Sequence, residues 1–246
     1  MVHKPMMSKE EIKLRKEWAN SAYENMKTRK TNSLKILGRE LIVPSEVFIP
    51  HELDAELIGR AILRKVKKTD RVLDLGTGSG INAILAANKS SKVIGTDINL
   101  LAIKCAKNNA KINNLADKIK FLKSDLFAKV RGKFDWIIFN PPFRWFKPRD
   151  MLERSIADEN YQTLTKFFKE VKEYLKPKGK ILIFFGDSGD LNYLKSLIKE
   201  NIFRRKELRK KSIVKYSSRY WYYCYELSRI NEGLRQNEAV KELHER

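Results

Sequence analysis

Apolar positions in the central part of the chain alternate between two spacings. Short apolar runs predict strands at Arg71–Leu75, Lys92–Thr96, Ile119–Leu122, Phe134–Phe139 and Lys180–Phe185. Longer segments with helical spacing predict helices at Gly80–Asn88, Asn99–Asn113, Glu159–Leu175 and Leu191–Glu200. Strands that alternate with helices indicate an α/β fold, in which a mostly parallel sheet carries helices on both faces.

Further elements are predicted on both sides of this alternating region. Ser8 followed by Glu11 is a capping box, and it predicts a polar, basic helix that runs to about Lys27. The other predicted elements are a small hairpin over Leu34–Val43, a helix over Glu52–Lys65, and an antiparallel hairpin of Leu208–Tyr216 with Arg219–Leu227. We therefore predict an N-terminal extension over residues 1–50, a sheet domain over 51–228 and a charged tail over 229–246.

Length and composition narrow the class of protein. A chain of 246 residues with 42% hydrophobic content fits one globular domain with an extension. No apolar run is long enough to span a bilayer, and residues 1–30 lack the apolar core of a secretory signal. Two distant cysteines, Cys105 and Cys224, fit reduced thiols and predict a cytoplasmic protein. The cysteines and three histidines show no metal-ligand spacing, so we predict no metal site.

The charge of the chain is unusual. Its 51 Lys and Arg residues against 30 acidic residues give a net charge of +21. Residues 202–220 hold eight basic side chains and one acidic one, and residues 1–40 hold ten and five. Concentrated basic segments favour a polyanionic partner, RNA more than DNA, or a ribosome-associated protein. The alternative is a surface that uses lysine by default.

A glycine-rich turn follows the first predicted strand of the sheet domain. It contains Asp74, Gly76, Thr77, Gly78 and Gly80. The third glycine of a G-x-G-x-x-G dinucleotide motif is missing, because position 81 is Ile. Asp97 ends the next predicted strand about 20 residues later, where a carboxylate accepts hydrogen bonds from a ribose. These features predict a nucleoside-containing ligand, although the glycines could also serve only a tight turn.

This arrangement resembles the class I S-adenosylmethionine-dependent methyltransferases. The resemblance implies a Rossmann-like, seven-stranded fold with an antiparallel C-terminal hairpin, and S-adenosyl-L-methionine as the cofactor. It implies that the turn binds the methionine half of the cofactor and that Asp97, followed by Ile98, holds the ribose. It also implies that Ser124, Asp125 and Leu126 flank the adenine, with Asp125 near the exocyclic amine.

A second motif, Asn140-Pro141-Pro142-Phe143, follows the fourth predicted strand. It should lie beside the glycine turn, because the carboxyl ends of parallel strands share one edge. The Asn140 side-chain oxygen and the Pro141 carbonyl could each accept one N–H of a planar NH2 group, so that Asn140 borders both acceptor and cofactor. Pro142 would fix the turn, and Phe143 could stack on the flat group. The alternative is a simple turn.

Over about residues 40–227 the chain resembles enzymes with an Asn-Pro-Pro-Tyr/Phe motif that methylate amines and amides. These include release-factor glutamine methyltransferases and nucleic-acid methyltransferases of adenine N6 and guanine N2. The glutamine enzymes usually have Tyr where this chain has Phe143. The predicted substrate-binding residues are Phe48, His51, Arg144, Trp145 and Phe146, although the three that follow the motif could instead pack on the domain.

We therefore predict an S-adenosylmethionine-dependent N-methyltransferase that acts on adenine N6 or guanine N2 in RNA or DNA. The alternative is N5 methylation of a glutamine in a release factor or a ribosome-associated protein. A third hypothesis, of another class, is an RNA-binding domain without catalytic activity.

Overall fold

The first elements are a helix and a hairpin, in the predicted order. The computed structural model describes residues 3–5, 7–215 and 218–230. Helix α1 (Lys9–Lys27) begins at the predicted capping box, in which Ser8 Oγ accepts the Glu11 amide and the Glu11 carboxylate accepts the Ser8 amide. Strands β1 (Asn32–Ile36) and β2 (Arg39–Val43) pair antiparallel around a tight turn.

A helical stretch then leads towards the sheet, where a single helix was predicted. It consists of α2 (Glu52–Asp54), one π-helical turn (Ala55–Gly59) and α3 (Arg60–Lys65). Short π-helical turns are rare and often occur at functional sites. This one directly follows Asp54, a carboxylate that is only 9% exposed.

One large sheet lies at the centre of the molecule. Its strands are β3 (Arg71–Leu75), β4 (Lys92–Asp97), β5 (Ile119–Lys123), β6 (Phe134–Phe139), β7 (Leu175–Gly186), β8 (Phe203–Lys215) and β9 (Ser218–Arg229). Within the described residues the seven strands lie in the order β5-β4-β3-β6-β7-β9-β8. The pairs from β5 to β7 are parallel, and β9 is antiparallel to both β7 and β8. The predicted fold class is therefore confirmed.

Helices cover both faces of this sheet. They are α4 (Ile81–Ala87), α5 (Leu100–Ile112), α6 (Gln162–Glu170) and α7 (Leu191–Glu200). One face packs against α4, α5, the small hairpin and Trp18 of α1. The other face packs against α6 and α7. The N-terminal extension thus shares a core with the sheet, because its buried side chains lie in the same apolar cluster as Val72.

Two predicted boundaries were wrong. The helix predicted over Glu159–Leu175 is divided, because Asn160 and Tyr161 have φ angles of 53° and 54° and interrupt it before α6. Leu175, placed in that helix, instead begins β7, so that strand starts earlier than the predicted Lys180.

The C-terminal hairpin is longer than predicted. It contains a β-bulge between Glu207 and Arg209. Tyr216, the predicted end of its first strand, lies outside the described residues, as does the predicted tail from position 231 onward. None of the described helices combines the length and the apolar character that a membrane crossing requires.

Candidate active site

The turn after β3 lies at the carboxyl edge of the sheet. Gly76, Gly78 and Gly80 have positive φ angles of 65°, 53° and 88°. A Cβ atom on Gly80 would lie 2.9 Å from the Cβ of Ala106, so α4 begins in close contact with α5. A hydrogen bond of 2.8 Å from the Gly80 amide to the Thr77 carbonyl closes the turn. The sequence therefore requires glycine here both for backbone conformation and for space.

A cavity of about 650 Å³ opens beside this turn. Its volume is within the range of ordinary small-molecule sites. The predicted site residues that line it are Phe48, His51, Gly76, Thr77, Gly78, Asp97, Ile98, Asp125, Leu126, Asn140, Pro141, Pro142, Phe143 and Arg144. Most of the predicted cofactor residues and the whole Asn-Pro-Pro-Phe motif thus border one space.

Asp74 lies beneath the turn and is fully buried. Its Oδ2 atom accepts hydrogen bonds from Thr77 Oγ1 at 2.6 Å and from the Ala83 amide at 3.2 Å. Its Oδ1 atom has no hydrogen-bond partner among the described residues. Burial raises the pKa of this carboxyl group to about 7. Neither Asp74 nor Gly80 lines the cavity, so Asp74 supports the glycine turn from below through these hydrogen bonds.

Asp97 joins the end of β4 to the glycine turn. Its Oδ2 atom accepts the Gly78 amide at 2.9 Å, and its Oδ1 atom accepts the Asn99 amide at 2.8 Å. Burial raises the pKa of this carboxyl group, while those backbone hydrogen bonds oppose the shift. Each oxygen retains a lone pair, so a carboxylate held in this way could accept ribose hydroxyls.

The segment after β5 lines the part of the cavity where the adenine of the cofactor is expected. Ser124 is tied to β4 through a hydrogen bond from its amide to the Asp97 carbonyl at 2.9 Å. Leu126 is buried and has a φ angle of 43°. Asp125 is exposed and forms an ion pair with Lys166 at 3.2 Å. Its carboxylate is therefore within reach of solvent and of an adenine amine.

Asn140 follows directly from β6, which pairs with β3. Phe139 is the register partner of Leu75, so Asn140 and Gly76 leave neighbouring strands at the same level. Both line the cavity. The topology alone thus places an amide side chain beside the turn expected to hold the cofactor.

The backbone of Phe143 is held by a buried tyrosine. Tyr161 donates a hydrogen bond to the Phe143 carbonyl at 2.7 Å and accepts one from the Asp190 amide at 2.6 Å. A Cβ atom on Gly189 would lie 2.0 Å from the Phe143 carbonyl oxygen, so the loop after β7 approaches without a side chain. The end of the motif is therefore fixed in the absence of substrate.

Asp54 contacts the same motif from the other side, and sequence analysis missed it. Burial raises the pKa of its carboxyl group to about 7, and a hydrogen bond with the Asn140 side chain opposes that shift. An ionised carboxylate only accepts hydrogen bonds, so it selects the Asn140 orientation in which Nδ2 points towards it. The Asn140 Oδ1 atom is then available to an acceptor N–H. The signal in the sequence is an acid among the apolar residues Leu53, Leu57 and Ile58.

The predicted substrate residues divide into two groups. Phe48 and His51 line the cavity, with ring centroids 5.6 Å apart. Burial, together with nearby cationic side chains, lowers the pKa of His51. Trp145 is buried in the core cluster that contains α6, and Phe146 packs against it at 4.7 Å. Neither ring lines the cavity, so the expectation that Trp145 and Phe146 contact substrate is corrected: they pack on the domain.

Helix α1 contributes a wall of the cavity that sequence analysis did not predict. Trp18, Ala22, Asn25 and Met26 line it, together with Arg29 just beyond the helix. The helix is anchored to the loop after β6, where Tyr23 donates a 2.6 Å hydrogen bond to Asp150. Helix α1 therefore borders the cavity as well as the core, to which Trp18 belongs.

The fold and the site together define the class of protein. A sheet of this strand order carries a glycine turn between the buried carboxylate of Asp74 and the half-buried carboxylate of Asp97. An Asn-Pro-Pro-Phe turn lines the same cavity. This is a class I S-adenosylmethionine-dependent N-methyltransferase. The chain belongs to the methyltransferase small domain family, which it matches over residues 39–213.

Several proteins of similar sequence carry the names of methyltransferases. A provisionally named protein N5-glutamine methyltransferase of Methanocaldococcus jannaschii is 36% identical over an alignment of 175 positions, and the alignment covers 67% of this chain and 86% of that protein. The release factor glutamine methyltransferase of Buchnera aphidicola is 33% identical over an alignment of 159 positions, which covers 59% of this chain and 57% of that protein. A bifunctional methyltransferase of Rickettsia typhi is 34% identical over 64% of this chain, and only 37% of that longer protein is matched.

Solved structures share the fold at low sequence identity. The 16S rRNA N2 G1207 methyltransferase of T. thermophilus, in complex with S-adenosylmethionine and guanosine, has a TM-score of 0.61 at 20% identity, over 82% of this chain and 50% of that one. The tRNA m1G37 methyltransferase of M. jannaschii has a TM-score of 0.61 at 24% identity, over 83% and 58%. These similarities concern the fold alone.

Proposed function

We propose that this enzyme methylates an exocyclic base nitrogen, adenine N6 or guanine N2, in a nucleic acid, and that RNA is the preferred substrate. The observation that carries the choice of substrate is a row of basic side chains on β8 that ends at the cavity. A cytoplasmic location and the predicted domain boundaries remain part of this proposal.

The proposed roles follow from where each residue lies. S-adenosylmethionine supplies a methyl group on a sulfonium, and the acceptor nitrogen must direct its lone pair along the sulfur–methyl bond. The Asn140 side-chain oxygen and the Pro141 carbonyl accept the two N–H groups of the acceptor, which favours the more tetrahedral nitrogen of the transition state. Phe143 stacks on the base. No strong base is required, because the methylated cation loses a proton readily.

The basic row occupies one face of β8. After the bulge, Arg209, Lys211, Ile213 and Lys215 alternate with residues of the other face, as side chains do along a strand. Their register partners Cys224, Tyr222 and Tyr220 belong to the apolar cluster on the cavity side of the sheet. Ile213 and Lys215 themselves line the cavity. A nucleic-acid strand that follows this face would therefore arrive at the acceptor site.

Removing charge from the cavity face of β8 should weaken RNA binding. We expect the double variant Arg209→Gln/Lys211→Gln to bind a single-stranded RNA less tightly, with the slope of log affinity against log salt reduced by roughly 0.7 per lost phosphate contact. Cofactor affinity should not change. Fluorescence titration at several salt concentrations measures both the affinity and the slope.

The opposite face of the same strand supplies a matched control. Arg205 lies 5.0 Å from the ring of Tyr225, and Lys210 lies 5.4 Å from that of Trp221, both away from the cavity. The variant Arg205→Gln/Lys210→Gln loses the same kinds of charge and should retain most of the affinity. Equal effects of the two double variants would contradict a defined track along the cavity face.

Glutamine methylation is the second candidate, and the sequence relatives favour it. The proteins from Methanocaldococcus and Buchnera carry names of glutamine methyltransferases. A glutamine side chain also presents a planar NH2 group, so Asn140 and Pro141 could hold it in the same manner. A binding domain without catalysis would not require Asp97 and Asn140 to line one cavity, as they do.

Labelled cofactor distinguishes these candidates. The enzyme is incubated with tritium-labelled S-adenosylmethionine and, separately, with RNA, DNA and protein from cells that lack it. We expect label in RNA. Label in protein with none in nucleic acid would establish the glutamine candidate, and the absence of cofactor binding in calorimetry would support the binding domain.

A further inference from the structure

Arg144 is a buried cation without an anionic partner. Its side chain is only 6% exposed, and its Nε atom has no hydrogen-bond partner among the described residues. Within the described part of the chain it forms no ion pair, since the nearby Glu153 is bonded to Arg149. Burying an unpaired charge costs several kcal/mol, and buried charges are ordinarily paired. Because Arg144 lines the cavity, a ligand could supply the missing anion.

Two other cationic side chains, Lys215 and Arg29, lie near His51 together with Arg144, and burial and these three cations lower the pKa of His51. Lys215 Nζ and Arg144 Cζ are 5.3 Å and 5.5 Å from the ring of Trp18. Arg29 donates hydrogen bonds to the carbonyls of Pro44 and Val47, while its Nε and Nη1 atoms have no partner among the described residues. All of these side chains line the cavity. Trp18 thus holds part of a cationic cluster in place.

Acidic residues in the lining lie mostly at the cofactor end. Asp97 and Asp125 border the positions expected for ribose and adenine, and the Glu46 carbonyl accepts a hydrogen bond from Asn99 beside them. Among the described residues, Asp54 is the only acidic side chain in the lining at the acceptor end, and burial raises its pKa to about 7. The acceptor end therefore carries net positive charge near neutral pH.

We propose that Arg144, with Lys215 and Arg29 beside it, binds a phosphate of the RNA strand that presents the acceptor base. This inference rests on the proposed function. Arg144 follows Phe143, the ring expected to stack on the base, and a nucleotide carries its phosphate one ribose away from the base. A guanidinium binds phosphate through paired N–H groups. The side chain of a glutamine carries no anionic group, so a peptide acceptor would leave Arg144 without an anionic partner.

The test compares Arg144→Gln with a matched control in the full chain. Arg131 is exposed and precedes β6, at the edge of the sheet opposite to Asn140. We expect Arg144→Gln to bind a short single-stranded RNA about tenfold less tightly, with a salt slope lower by about 0.7, and Arg131→Gln to bind as the wild type does. Arg144→Lys keeps the charge but not the paired N–H groups, so it should keep the slope with intermediate affinity.

Several outcomes would overturn the phosphate site. One is unchanged RNA affinity in a folded Arg144→Gln variant; if that variant does not fold, unchanged affinity in both Arg144→Lys and Lys215→Gln has the same meaning. Another is weaker S-adenosylmethionine binding in calorimetry with unchanged RNA affinity, because the anion is then the cofactor carboxylate. A third is an Arg144→Gln variant that has a higher KM for a glutamine-containing protein substrate but an unchanged affinity for RNA. Failure of the proposed function is separate, since wild-type enzyme would then label only protein.

Discussion

Replacing Asn140 by alanine should lower kcat by about a hundredfold to a thousandfold, the usual cost of removing a transition-state hydrogen bond. The Asn140 oxygen is expected to accept an N–H of the acceptor group while that nitrogen becomes more tetrahedral. We expect S-adenosylmethionine to be held by other residues, at Asp97 and the glycine turn. The affinity for cofactor should therefore change little, and calorimetry alongside single-turnover rates measures the two quantities separately.

A remote asparagine provides the control for this substitution. Asn192 is exposed near the start of α7 and does not line the cavity, so Asn192→Ala should keep wild-type rates. An Asn140→Ala variant that loses cofactor affinity as much as turnover would show that Asn140 supports the cofactor and not the acceptor. The assignment of the acceptor site to this turn would then be wrong.

Local patterns predict the centre of this site. Asp74 and Gly80 lie within one strand–turn–helix unit, and Asn140 lies at the end of a strand that the topology places next to it. Each position follows from short-range spacing together with the rule that parallel strands end at the same edge. Only the order of strands is needed to bring the glycine turn and the Asn-Pro-Pro-Phe turn together.

The walls of the cavity depend on contacts that are distant in sequence. Trp18 meets Arg144 and Lys215 only after α1 has packed across the finished sheet domain. Nothing in the local spacing of α1 distinguishes a face that covers a site from one that covers a core. The sequence also groups Arg144 with Trp145, and it does not show that one side chain points to the cavity while the other enters the core.

Backbone strain is similarly invisible in the sequence. Apolar spacing continues through Glu159–Leu175, so a single helix was predicted there. Tertiary contacts override it, because the Tyr161 hydroxyl connects the Phe143 carbonyl with the Asp190 amide. Two consecutive residues with positive φ angles cost free energy, and such strain occurs most often next to functional sites. Here the strained segment, Asn160 and Tyr161, holds Phe143 at the end of the Asn-Pro-Pro-Phe motif.

The pH dependence of turnover should change when Asp54 is replaced by asparagine. In the wild type the ionised Asp54 holds the Asn140 amide group, so we expect turnover to rise with pH through about 7, the pKa of this buried carboxyl group, and then level off. The Asp54→Asn variant should lack this rise and be about a hundredfold slower at high pH, as expected for a misplaced catalytic contact. Asp117→Asn, an exposed substitution beside β5, should keep the wild-type profile. A variant at position 54 that retains the rise would assign it to another group.

The same carboxyl group should affect stability in the opposite direction. Its pKa is about 7 in the folded protein against an ordinary value of 3.8, so between these pH values the folded state holds a proton that the unfolded state releases. The free energy of unfolding therefore falls as pH rises from about 4 to 7. Asp74 contributes a fall of the same sign, because its pKa is also raised to about 7. Asp54→Asn should remove only the contribution of Asp54 to this fall. The free energy of unfolding, measured with denaturant in the absence of cofactor, should therefore decrease less steeply with pH. A variant with lower turnover but an unchanged pH dependence of the free energy of unfolding would show that Asp54 does not titrate with a raised pKa. Asp54 would then matter for its position at the site and not for its ionisation.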